Sequence, residues 1–137
     1  MSTKKEIEYK GIHFLWNKEL NYLELIMDDK NIHDQTSYII TTGIMTEYCE
    51  KTKPKYLVFN KLFSDFVLTN HQREFTEQYV FSVLHSVGVR KFILLVNEVS
   101  EKYNFKRLVG EINDPYMIGF KSIDDMENWM RQQIVQN

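Results

Sequence analysis

An α/β fold is the expectation from this sequence. It would be one domain over residues 1–137, ordered β-β-α-β-α-β-α-β-α, with a mixed, mostly parallel five-stranded sheet and helices packed on both faces. Three observations lead there. The apolar runs Tyr56-Leu57-Val58-Phe59 and Phe92-Ile93-Leu94-Leu95-Val96 have no polar face, so they read as strands covered on both sides. Stretches of helical periodicity alternate with these runs, which implies crossovers between parallel strands. Finally, 137 residues suit a single core, and the five glycines and two prolines are too scattered to form a linker.

The first element expected is a hairpin between Ile7 and Asp28. Ile12, Phe14 and Trp16 alternate with His13 and Leu15, Asn17 to Asn21 is polar and turn-like, and Leu23 and Leu25 share one face of the return strand. A long helix then runs from about Ile32 to Lys51. Ile40, Ile44 and Tyr48 recur at every fourth position, with Tyr38 and Met45 beside them. Gly43 costs this helix about 1 kcal/mol relative to alanine, and a close contact with the sheet would explain it. After the strand at 56–59, Thr69-Asn70-His71-Gln72 has the pattern of a capping box. The helix behind it presents Phe75, Tyr79 and Val83 on one stripe with Val80 and Leu84 alongside, and Gly88 stops it. The strand at 92–96 follows. Next come a short helix from Ser100 to Val109 and a weaker strand at 116–120. Ser122-Ile123-Asp124-Asp125 caps a last helix, in which Met126, Trp129, Met130 and Ile134 keep helical spacing. Trp129 is the expected anchor of that helix on the sheet.

Composition narrows the function classes. Net charge is −2, without the basic surplus of a nucleic-acid binder, so no nucleic-acid partner is expected. A single cysteine leaves no internal disulfide and no multi-cysteine zinc site. No apolar run approaches a membrane span, and Met1 to Glu6 has charge without an apolar stretch behind it. The expectation is a soluble, cytoplasmic protein.

Chemistry-bearing patterns are sparse. None of the four histidines forms H-x-x-x-H, and His71 and His85, on one helix, would stand about 21 Å apart along it. Cys49 is late in a helix, where the dipole opposes thiolate formation, so it reads as a packing residue. There is no glycine-rich phosphate loop and no nucleophile elbow. No catalytic residue, metal or cofactor is therefore assigned. The segment that stands out is Lys61 to Leu68, an unusually apolar connection leaving the carboxyl end of a central strand, where open α/β sheets meet their ligands. Alternation would turn Phe63 and Phe66 opposite ways around the polar pair Ser64 and Asp65, one into the core and the other partly exposed. Phe63, Ser64, Asp65, Phe66 and Thr69 form the candidate partner-binding loop.

The order of elements, together with Tyr56 to Asn60, Phe66 to Thr69 with Gln72, Lys91 to Val96, Phe120 to Ser122 and Trp129, resembles the STAS/SpoIIAA-like superfamily of anti-sigma-factor antagonists and the small bacterial STAS/SEC14-like proteins. The resemblance spans nearly the whole chain and rests on core positions. It implies a non-catalytic regulatory or protein-interaction module whose partner is an unidentified protein or, given the aromatic surplus, a second copy of the chain. The alternative it implies is a SEC14-like protein that holds a small apolar ligand or lipid. Antagonist STAS domains carry a phosphorylated serine in an Asp-Ser-Ser-Gly-like turn at the start of the helix. Here that stretch reads Thr69-Asn70-His71-Gln72, with no serine or glycine, so the phospho-switch is not carried over.

Overall fold

Turn chemistry starts the fold. Lys10 and Gly11 both have positive φ, 50° and 85°, the backbone of a two-residue hairpin turn whose twist suits antiparallel strands. They join β1 (Lys4–Tyr9) to β2 (Ile12–Asn17). The Asn17 side chain then accepts the Leu20 N–H at 3.0 Å and shapes the turn into β3 (Tyr22–Ile26). A computed structural model describes residues 4–26, 35–62, 70–95 and 117–136. The other described elements are α1 (Gln35–Thr52), β4 (Tyr56–Asn60), α2 (Asn70–Phe75), a π turn (Thr76–Val80), α3 (Phe81–Ser86), β5 (Lys91–Leu95), β6 (Met117–Phe120) and α4 (Ile123–Gln136).

The strands lie in sequence order, β1-β2-β3-β4-β5-β6. The first three form an antiparallel meander, and β3 to β6 pair in parallel. The fold is therefore α/β with a mixed sheet, but the sheet has six strands rather than the five expected. The added strand is β1, whose Lys4-Lys5-Glu6 and Glu8 hide it from a search for apolar runs. Those charges suit an edge strand, since they discourage further pairing.

Each central strand buries both faces. Leu23, Leu25, Leu57, Phe59, Phe92 and Leu94 point into one core with Tyr38, Met45 and Cys49 of α1, and with Val80 and Leu84 of the second helical segment. Phe92 meets Phe59 and Phe81 with ring centroids 4.7 Å away in each case. On the opposite face Tyr22, Tyr56, Val58, Ile93 and Leu95 pack with Met126 and Met130 of α4. Helix ends follow local rules. Gly88, at φ 101°, closes α3 in a Schellman motif, with Val89 N–H to Leu84 O at 3.0 Å and Gly88 N–H to His85 O at 3.2 Å. Ser122 Oγ accepts the Asp125 N–H at 3.1 Å and caps α4, as the sequence pattern requires.

Packing departs from the expected helix faces in three places. In α1 the inward line is Tyr38, Met45 and Cys49, whereas Ile40 is 55% exposed. A Cβ built at Gly43 would meet no described residue within 4 Å outside its own stretch of helix, so no close contact with the described strands accounts for the glycine. In the second segment Thr76, Val80 and Leu84 are inward, and Tyr79 is 61% exposed. Trp129 is half-buried rather than fully enclosed, with its ring 5.7 Å from Tyr56 and 5.7 Å from Phe120. The helix expected from Ser100 to Val109 lies outside the described residues.

Phe59→Ala should cost about 3–5 kcal/mol, as truncation of an enclosed aromatic does. Trp129→Ala, removing a ring already partly in water, should cost less. Urea denaturation of both variants compares them, and equal losses would place Trp129 in the closed core.

Candidate functional site

The loop singled out in the sequence, Phe63, Ser64, Asp65, Phe66 and Thr69, lies outside the described residues. Within the described part, an apolar groove lies on one face of the sheet and a polar seam on the other.

On the helical face, α1 and the α2–α3 segment leave a shallow groove. Thr42, Gly43 and Thr46 form one bank, and Phe75, Tyr79, Val80 and Val83 the other. A buried hydrogen bond sets the spacing of the banks, since the hydroxyls of Tyr38 and Thr76 are bonded to each other and Thr76 Oγ1 donates to Gln72 O at 2.7 Å. Burial pushes the Tyr38 phenol up to about 12, against the smaller opposing effect of Thr76. Thr76 also starts the π turn, where the Phe81 N–H reaches back five residues to Thr76 O. Tyr79 lies within that turn, exposed, with its ring 5.6 Å from Phe75. Ile39, one turn before Gly43, is 40% exposed on the same side of α1. The groove is therefore apolar, rimmed by threonine hydroxyls, and open where Gly43 lacks a side chain. A glycine in mid-helix and an apolar residue off the inward line were the available signals for it.

Beneath α4 is a polar seam. Glu127, 7% exposed, accepts a 2.6 Å hydrogen bond from the Tyr22 hydroxyl and a longer one from Asn17 Nδ2, and Lys4 Nζ stands 3.1 Å from the same oxygen. Glu24, 1% exposed, receives Asn60 Nδ2 at 3.0 Å. The two carboxyls titrate in opposite directions. Burial raises Glu24, and the Asn60 hydrogen bond offsets it only in part. At Glu127 burial also disfavours charge, yet the bonds from Tyr22 and Lys4 outweigh it and hold the carboxyl below its ordinary range. Such a divided pair is what an acid–base mechanism would use. Here both carboxyls are enclosed and engaged in holding the fold: Glu127 ties α4 to β1, β2 and β3, and Glu24 ties β3 to β4. The signal for the seam was a glutamate inside Tyr22-Leu23-Glu24-Leu25, a strand otherwise apolar on both faces.

Cys49 is fully buried, and burial pushes its thiol up to about 12. His71 and His85 are exposed, and among the described residues no group of three or more His, Cys, Asp or Glu is placed to hold a metal ion. No described helix is long and apolar enough to cross a membrane. Comparison with known proteins finds no matching family model, no matching curated protein and no matching solved structure.

The carboxyl pair gives a signed pH dependence. Glu24, with its folded pKa above the unfolded value, destabilises the fold as pH rises from the unfolded value through the folded one, so wild type should lose stability relative to Glu24→Gln over that window. Glu127, with its folded pKa below the unfolded value, stabilises the fold above the ordinary carboxylate range and loses that contribution as pH falls through its folded pKa. Glu127→Gln should therefore cost about 1.5–3 kcal/mol at neutral pH, the worth of hydrogen bonds to a charged group, and little at acid pH. Denaturation curves across pH 3 to 8 read both, and parallel profiles for wild type and variants would refute the assignment. Cys49 should resist a thiol reagent at pH 8 in the native state and react at the rate of unfolding, and prompt labelling of folded protein would contradict its burial.

Proposed function

We propose that the protein is a non-catalytic interaction module of the STAS-like kind, which binds a second copy of itself through the groove between α1 and the α2–α3 segment. Gly43 carries this reading. Among the described residues nothing requires a glycine there, because a Cβ would meet none of them within 4 Å, and alanine would favour the helix by about 1 kcal/mol. What the glycine does provide is a floor low enough for an incoming side chain. Around it, Ile39, Ile40 and Tyr79 offer exposed apolar contact, the material of interface anchors. Groove size supports a protein partner over a lipid or other apolar ligand. It offers about 60 Å³, against roughly 300–1,000 Å³ for small-molecule clefts. The enclosure of Glu24 and Glu127 supports a non-catalytic role, since no reactant reaches either carboxyl.

Sedimentation of the wild-type chain should give a dimer. Gly43→Leu fills the floor and Tyr79→Ala removes an anchor, and both positions are exposed, so each variant should fold cooperatively and sediment as a monomer. A monomeric wild type, or variants that dimerise as well as wild type does, would overturn the reading.

A further inference from the structure

A second surface, on the other side of the sheet, has the chemistry of an anion site. The amino ends of β4 and β5 lie side by side, fixed by the parallel register that sets Tyr56 opposite Lys91 and by the Arg90 N–H donating to Lys55 O at 2.7 Å. Three cations therefore converge, namely Lys55, Arg90 and Lys91. Together with Tyr56, Trp129 and Gln133 they line an open groove of about 210 Å³. The chain carries more acidic than basic residues, yet among the described residues none of these three cations has a carboxylate partner. Lys4, Lys10 and Arg131 do find carboxylates, within 4 Å of Glu127 or Glu47. Lys55 instead stands 5.3 Å over the Tyr56 ring.

From this placement we infer that the groove binds a small organic phosphate bearing a flat ring. Charge sets the first part. Three unneutralised cations match a phosphate monoester, which carries roughly −1.5 to −2 at neutral pH, better than a single carboxylate, and the guanidinium of Arg90 can meet two phosphate oxygens at once. Trp129 sets the second part. Its indole is half-buried, edge-to-face with Tyr56 and tilted against Phe120, each 5.7 Å away, so the ring is positioned before any ligand arrives and offers an apolar wall beside the cations. At about 210 Å³ the groove is smaller than the roughly 300–1,000 Å³ clefts of drug-sized ligands, which limits its occupant to one ring and one phosphate. The inference goes beyond the interaction module proposed above and shares no residue with its groove.

Phenyl phosphate is the probe, with inorganic phosphate and benzoate as comparisons. Calorimetry should show saturable binding of phenyl phosphate, with inorganic phosphate and benzoate both weaker. In a Trp16→Phe background, phenyl phosphate should change the emission of Trp129 over the same concentration range. Arg90→Ala combined with Lys91→Ala should weaken binding about ten- to hundredfold, the loss expected for charge-assisted hydrogen bonds, with the thermal melt unchanged. Trp129→Leu should abolish the preference for phenyl phosphate over inorganic phosphate. No saturable binding up to about 10 mM, a very weak interaction, would overturn the site. Undiminished binding by the Arg90/Lys91 variant would do the same, and benzoate binding as tightly as phenyl phosphate would overturn the choice of phosphate.

Discussion

Strand β4 has no exposed residue. From Tyr56 to Asn60 every side chain is buried, and because successive side chains of a strand point to opposite faces, the sheet must be covered on both. The rest of the architecture follows from that demand. Parallel pairing of β4 with β3 and β5 needs crossover connections, and α1 and the α2–α3 segment supply both crossovers while covering one face. Left to itself the other face would expose Tyr56, Val58, Ile93 and Leu95. Helix α4 covers them with Met126 and Met130.

The two covers are attached by different physics. The α1 side is a broad apolar contact, centred on Phe59, Phe92 and Leu84, with the Tyr38–Thr76 hydrogen bond as its polar fixture. Helix α4 has a narrower apolar stripe, so Glu127 adds hydrogen bonds accepted from Tyr22 and Asn17 and an ion pair with Lys4 on the edge strand. A buried carboxylate with one donor is costly, but with several donors it is tolerated and orients what it joins. This fastening fixes the rotation of α4 about its axis. The same rotation stands Trp129 beside Tyr56, at the amino ends of β4 and β5, and so builds the wall of the cationic groove.

The two proposed binding surfaces are separated by the sheet. One is apolar and shaped by a missing side chain at Gly43. The other is cationic and shaped by the parallel register of two strands. They draw on different helices, so a change at one need not disturb the other, and each can be examined with the fold intact. The candidate loop favoured from composition, Phe63, Ser64, Asp65, Phe66 and Thr69, lies outside the described residues.

Features encoded within a few residues were legible in the sequence. The apolar strands expected at 56–59 and 92–96, which the structure describes as Tyr56–Asn60 and Lys91–Leu95, the β2–β3 hairpin, the stop at Gly88 and the Ser122 cap each depend on local backbone preference or on a short alternation. Tertiary structure decided the rest. Ile40 and Met45 are both apolar, and only the contour of the sheet chose Met45 for the core; the same choice turned Val80 inward and Tyr79 outward. Strand β1 became a strand because β2 offered it hydrogen bonds, although its own composition is mostly charged. Glu24, raised by burial, and Glu127, where the bonds from Tyr22 and Lys4 outweigh burial, acquired opposite titrations from surroundings that the fold, not the sequence neighbourhood, supplied. A helix has several lines of side chains about 100° apart, and an edge strand has no apolar demand of its own. In both cases the deciding free energy lies in long-range contacts, which exist only once the chain has folded.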